Sequence, residues 1–411
     1  MEVFDRRLTR RHLLAAAAAG ALDGARPLDA LARAAASAAT ALPTPERSGL
    51  DHVVVVMMEN RSFDHLLGWL PGADGKQAGL TYLDAAGVGH PTFPLAPDFQ
   101  GCAHADPDHS FDGARVEWNN GACDGWLRAG SNDVYSIGYY QQQDLAFLGK
   151  AAPTFTVCDR FFASFLGPTF PNRFYSLSAA TDRTSNTQVV VNLPTIFDRL
   201  AAKRIPAAYY FGSFPFLALY GTKYQPISFP YSRFFAQCKT GKLPAFSYID
   251  PNFTFDDSGP GSGNAGNDDH PHADIRAGEY FLSTIYNAVT KSPAWKRTLL
   301  VITFDEWGGF FDHVPPPAAA ADANPAYVQR GFRIPCLLIS PFARRAHVAH
   351  GVYDHTSILK LVEWRWRLAP LTPRDAHANN LAGALDFAHP TLVAPKISAP
   401  RLVVGAACPA P

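Results

Sequence analysis

His52-Val53-Val54-Val55-Val56-Met57-Met58 is an unbroken apolar run that stops at Glu59-Asn60. Its β-branched residues lack the alternation of a strand with one wet face, which predicts a strand buried on both sides in a parallel sheet. In such sheets the carboxyl ends of strands face the crevice where ligands bind, so an acid and an amide there are placed for metal or anion contact. Thr298-Leu299-Leu300-Val301-Ile302-Thr303-Phe304 repeats the pattern and is followed at once by Asp305-Glu306. Two strands ending side by side would bring three carboxylates and one amide to a single point, a donor set suited to a divalent cation that prefers oxygen. Taken singly, each end also reads as a strand followed by a solvated turn.

Other β-type runs are Gln188–Asn192, Ala207–Phe211, Ala245–Ile249 and Cys336–Ser340, and helical periodicity is expected over Asn172–Ala180, Ala273–Lys291 and Thr356–Leu368. Strands alternating with helices imply a three-layer α/β fold with a mostly parallel central sheet flanked by helices. Residues 68–135 form a long stretch rich in Gly, Asp, His and aromatics, and a loop of that length inside a domain is expected to serve the site. No linker divides the chain, so one catalytic domain is expected over 48–370, with a Pro- and Ala-rich tail at 371–411 wrapping the surface.

The chain has 36 basic and 36 acidic residues, so no net field draws it to nucleic acid, and none is expected as a partner. Thr9-Arg10-Arg11-His12-Leu13-Leu14 before the alanine-rich run 15–22 reads as a twin-arginine leader over 1–41, and hence as export to the periplasm or medium, with a retained amphipathic helix as the alternative. Six cysteines lie scattered without a C-x-x-C pair, which argues against structural zinc. Cys102 and Cys123 share one loop-rich segment and are the first disulfide pair to test, against the reading that most are small buried residues.

Gly167-Pro168-Thr169-Phe170-Pro171-Asn172-Arg173 sets a hydroxyl at the start of an expected helix. Proline suits a first turn, whose backbone N–H groups attract an anion, so Thr169 is the candidate nucleophile and helix capping its alternative role. His109, His270, His313 and His355 lie in polar, acid-rich surroundings that keep an imidazole protonated for general-acid work. Arg61 and Arg173 are candidate anion contacts. Trp118, Trp126, Tyr139, Tyr140 and the stretch 211–216 are read either as core or as the lining of an apolar or choline-accepting pocket.

Together the ordered motifs Met-Met-Glu-Asn-Arg-Ser-Phe-Asp-His, Asp-Pro-Asp-His-Ser, Gly-Pro-Thr-Phe-Pro-Asn-Arg, Asp-His-Pro-His-Ala-Asp, Phe-Asp-Glu-Trp-Gly-Gly and Tyr-Asp-His-Thr-Ser span His52 to Leu368. In this the chain resembles the bacterial phosphoesterase family of non-specific phospholipases C and acid phosphatases, within the alkaline-phosphatase-like superfamily. The resemblance implies one divalent metal ion held by Glu59, Asn60, Asp305 and Glu306, Thr169 as nucleophile, and His109 and His270 as phosphate-contacting or acid groups. Asn60, Asn172, Arg173 and His355 are expected at the substrate. The implied activity is hydrolysis of a phosphate ester or phospholipid through a phosphothreonine intermediate, with transient contact to a membrane surface. A phospholipase C-type diesterase is preferred, an acid phosphatase is the alternative, and a secreted metal- or phosphate-binding protein without turnover is the reading outside enzymes.

Overall fold

The computed structural model describes residues 42–254, 266–403 and 408. The expected leader, 1–41, lies outside them. In chain order the sheet strands and the main helices are β1 (His52–Met58), α1 (Phe63–Leu67), β2 (Thr156–Cys158), α2 (Thr169–Ser178), α3 (Ile196–Ala202), β3 (Ala207–Phe211), β4 (Ser228–Pro230), α4 (Tyr231–Thr240), β5 (Phe246–Ile249), α5 (Ile275–Thr290), β6 (Thr298–Phe304), β7 (Cys336–Ile339), β8 (His347–Ala349) and α6 (His355–Trp366). Eight strands form one sheet in the order β8-β2-β7-β6-β1-β5-β3-β4. Every pairing among β6, β1, β5, β3 and β4 is parallel, and β7 alone runs against both its neighbours. This is the expected α/β architecture.

Val53 through Met58 and all of β6 are buried whichever face their side chains take. A strand with no wet face needs cover on both sides, so the sheet is the middle layer of three. Around it α2 packs against α6 and α4 against α5. The register decides the site. His52 to Met58 pair in step with Thr298 to Phe304, and Val56 also pairs with Ile249. Glu59, Asp305 and Asp250 therefore emerge together at one edge of the sheet.

The helices begin where local chemistry allows. Asp274 caps α5 by accepting from Arg276 N, and Asp354 caps α6 in a reciprocal capping box with Ser357. Helix α2 starts three residues earlier than its apolar periodicity implied, because Pro168 is its N-cap and Pro171 fits its first turn. Two expectations need correction. Gln188–Asn192 is not a strand: it is β-branched but finds no strand partner, and Val189 and Val190 face solvent. Cys102 is bonded not to Cys123 but to Cys408, 306 residues away, while Cys123 is a buried free thiol. Proximity in sequence was a poor guide, since the tail returns to the loop that carries Cys102.

That tail also enters the interior. Thr372 Oγ1 donates to Ala179 O at the end of α2 (2.9 Å), and buried Arg374 bonds Ser164 O (2.6 Å), Asp322 (3.0 Å) and Asp354 (3.2 Å). Arg173, on α2, is the corresponding clasp at the sheet edge. Its guanidinium reaches Glu59 Oε1 (2.7 Å), Asp250 Oδ1 (2.7 Å) and Asp305 Oδ2 (3.1 Å), joining one helix to the ends of three strands.

Non-reducing peptide mapping should recover Cys102 linked to Cys408, and Cys408→Ser should lower stability by about 2–5 kcal/mol. Arg173→Met leaves three buried carboxylates without their cation and should cost roughly 3–5 kcal/mol in denaturant unfolding; a loss below about 1 kcal/mol would show that the clasp is idle. Burial pushes the Glu279 carboxyl on α5 up to about 7 although it accepts from Leu148 N at 3.0 Å. Between an ordinary 4.5 and 7 the folded protein thus keeps a proton that the unfolded chain releases, so this group's contribution to stability falls as pH rises through that window, by roughly 3 kcal/mol. Unfolding of Glu279→Gln measured at pH 5 and pH 8 should lack that decline.

Candidate active site

Asn60 stands at the turn where β1 leaves the sheet, with a left-handed φ of 56° that asparagine tolerates better than most residues. Its backbone N–H donates to Asp305 Oδ1 (3.1 Å), and Glu306 N donates to the same oxygen (2.7 Å). The two strand exits thus share one carboxylate. Gly308, at φ 66°, lets the following turn close over them, since a Cβ there would lie 2.3 Å from Asn60 O. From the other side Glu59 N donates to Asp268 O (2.8 Å) and Arg61 Nε to Asp269 O (2.6 Å), which draws the 268–270 segment against the β1 exit.

The long loop brings in Asp106 and His109. His109 Nδ1 donates to Pro107 O (2.8 Å), which sets the tautomer and turns Nε2 toward Asn60 Nδ2 (3.3 Å) and Glu306 Oε1 (3.8 Å). His270 is oriented alike, with Nδ1 on Pro271 O (3.0 Å) and Nε2 3.9 Å from Asp106 Oδ2. The two rings meet edge to face at 5.8 Å. Ligand atoms of Asp106, His109 and His270 lie within 4.8 Å of one another, close enough to share a metal ion.

Electrostatically the site is an excess of buried acid. Burial, reinforced by Asp305, holds the Glu59 carboxyl well above its usual range, with Arg173 opposing. Burial also pushes Glu306 up to about 8 against the pull of His109, and raises Asp250 and Asp268. Asn60 Oδ1 and Glu306 Oε1 are buried acceptors to which no described residue donates a hydrogen bond. Such orphaned oxygens suit a hard divalent cation, but Arg173 already pairs with Glu59 and Asp305, and among the described residues the acid and histidine ligand atoms here that lie within 4.8 Å of one another are those of Asp106, His109 and His270.

Thr169 is the first residue of α2, 7% exposed, and no side chain caps that helix. It lines a cleft of about 420 Å³ with Glu59, His270, Phe170, Phe216 and Phe253. A second cleft, of about 560 Å³, is lined by Pro168, Asp106, His109 and Asp112. Asn186 borders both and accepts from Phe170 N in the first turn of α2 (2.8 Å).

Glu59, Asn60, Asp305, Glu306, His109 and His270 thus stand on joined segments, with Thr169 sharing a cleft with Glu59 and His270. Three residues expected at the substrate face protein instead. Asn172, fully buried, accepts from Phe165 N and donates to the carbonyls of Phe165, Gly167 and Pro168, so it shapes the loop leading to Thr169. Arg173 is occupied by its three carboxylates. His355 donates from Nε2 to Phe304 O (2.9 Å), and its Nδ1 faces Ser164 N (3.4 Å), so it ties the β6 exit to that loop. Asp64, Asp312 and His313 form a second acid and histidine group, but there Arg333 is buried against Asp64 (3.0 Å) and Asp312 (2.9 Å) and supplies the cation itself. Of the aromatics, Trp126, Tyr139 and Tyr140 are core, while Phe214 and Phe216 line the Thr169 cleft. Sequence reasoning missed Asp250, Asp106 and Asn186. Asp250 follows β5 as Glu59 follows β1, so the same rule applied to a third strand finds it; Asn186 carries no such signal.

Residues 50–369 match the family model described as "Phosphoesterase family". Phospholipase C B of Mycobacterium tuberculosis is 30% identical over 493 aligned residues, covering 96% of this chain and 89% of the relative. A non-specific phospholipase C of Arabidopsis thaliana is 33% identical, covering 79% of this chain and 69% of its own length. Among solved structures, an alkaline phosphatase superfamily protein from Vibrio parahaemolyticus aligns over 81% of this chain and 70% of its own at 11% identity and TM-score 0.38. With a match across 50–369, this chain belongs to the Phosphoesterase family, and it is a hydrolase of phosphoric esters.

Proposed function

We propose that the chain is a phospholipase C-type phosphodiesterase with Thr169 as its nucleophile. The observation that carries this reading is the meeting of two unlike clefts at the head of α2, one lined by phenylalanines and one by Asp106, His109 and Asp112. A diester has two substituents to place on either side of phosphorus, whereas a monoester has one. The apolar cleft takes the departing alcohol and the polar cleft the retained head group.

In this scheme Thr169 Oγ1 gives up its proton to solvent and attacks phosphorus in line with the ester oxygen that leaves. His109 and His270 have their Nε2 atoms turned into the site by backbone carbonyls, and one of them protonates the departing oxygen. Water then hydrolyses the phosphothreonine, the same imidazole now acting as base. In the first turn of α2, Phe170 N is held by Asn186 and Pro171 has no N–H, which leaves Thr169 N to a phosphoryl oxygen. Glu59, Asn60, Asp305 and Glu306 would hold one divalent cation, whose charge lowers the pKa of the hydroxyl and offsets that on phosphate. Arg173 and His355 act from behind, holding the helix and the strand exits in register.

Export is part of the proposal. The disulfide between Cys102 and Cys408 suits an oxidising compartment, and no described helix is long and apolar enough to cross a membrane.

Thr169→Ala should reduce turnover of p-nitrophenylphosphorylcholine by roughly 10³-fold or more while the unfolding midpoint stays unchanged, and dialysis against a chelator should abolish activity until a divalent cation is restored. Ordinary turnover by the variant sinks the nucleophile assignment. A wild-type enzyme that cleaves p-nitrophenyl phosphate but not the diester would instead be a phosphomonoesterase.

A further inference from the structure

We propose that residues 184–191, together with the turn at 212–217, form a neutral apolar ridge that seats on a phospholipid surface and delivers substrate directly into the Thr169 cleft. This rests on the phosphodiesterase reading above and names the partner of that site. Val189 and Val190 are 63% and 65% exposed and Phe214 is 47% exposed. Exposing such side chains forgoes the stabilisation that their burial would give, so a ridge of them calls for a use.

The ridge is built rather than loose. Val191 N donates to Leu219 O (2.8 Å), and Arg183 Nη1 donates to Thr187 O (2.5 Å) and Val189 O (2.7 Å) while Asp182 neutralises the same guanidinium at 2.6 Å. These bonds satisfy the backbone and leave the valine side chains outward. Behind them, Gln188, Phe214 and Leu219 line the cleft that holds Thr169, so the ridge and the cleft are one continuous surface.

Charge and size favour a lipid surface over a protein. Neither 184–194 nor 205–222 contains a single Asp, Glu, Lys or Arg, in a chain with 18% charged residues. Insertion among head groups and acyl chains penalises charge and needs only a few apolar side chains. A stable protein interface buries about 800 Å² per partner, more than two valines and one phenylalanine supply. A neutral ridge also has no electrostatic attraction to anionic lipid, which makes its binding distinct from that of a basic patch.

The test compares the full-length wild-type protein with Val189→Ser/Val190→Ser and with Val190→Trp, by cosedimentation with phosphatidylcholine vesicles with and without anionic lipid, and by hydrolysis of soluble p-nitrophenylphosphorylcholine. The serine pair should bind vesicles about tenfold more weakly, Val190→Trp more tightly, and anionic lipid should change neither. Hydrolysis of the soluble ester should stay within about twofold of wild type in both variants, which also shows that they are folded. Vesicle binding indifferent to all three substitutions overturns the ridge, as does a serine pair that abolishes self-association of the chain instead. Loss of the diesterase reading shows separately, as a wild-type protein that leaves the soluble ester intact, and vesicle binding remains measurable in that event.

Discussion

The site depends on one buried guanidinium. Arg173 projects from α2 and meets the carboxylates that follow three adjacent parallel strands, at Glu59, Asp250 and Asp305. Without a cation there, three strand ends would carry acids that repel one another in a region closed to water. With it they converge, and the helix bearing Thr169 is docked by the same contact. Burying a charge is tolerable only when it is paired and hydrogen-bonded, so the clasp fixes both the sheet edge and the helix start. One positive charge does not balance the Glu306 and Asp268 carboxyls nearby.

Around this clasp the other elements act as braces. The shared carboxylate of Asp305 joins the two strand exits, Gly308 permits the turn above them to close, and His355 bonds the last carbonyl of β6. Arg374 repeats the device at a distance, reaching from the tail to the segment that leads into Thr169. Neighbouring carbonyls orient His109 and His270 through Nδ1 and leave Nε2 of each facing the site.

Much of the central sheet was legible because a strand buried on both faces writes a continuous apolar run, and because an acid immediately after such a run has little structural reason to be there. That logic found Glu59 and Asp305 and could have found Asp250. It failed for Gln188–Asn192, where β-branched residues serve exposure rather than pairing, since local composition does not report whether a neighbouring strand exists. Asn172, Arg173 and His355 were identified as important but assigned to the substrate. A polar side chain that serves a loop and one that serves a ligand have the same letter, and only the partners separate them. The Cys102–Cys408 bond and the bordering position of Asn186 arise from chain returns across long separations, which no local pattern encodes.

The most direct test of this account is a double-mutant cycle on Arg173 and Asp250, measured by denaturant unfolding with Arg173→Met, Asp250→Leu and the pair. If the guanidinium is the clasp, the two residues are coupled by about 2–3 kcal/mol and the double variant is far more stable than the sum of the single losses implies. Additive losses, with coupling below about 0.5 kcal/mol, would contradict it.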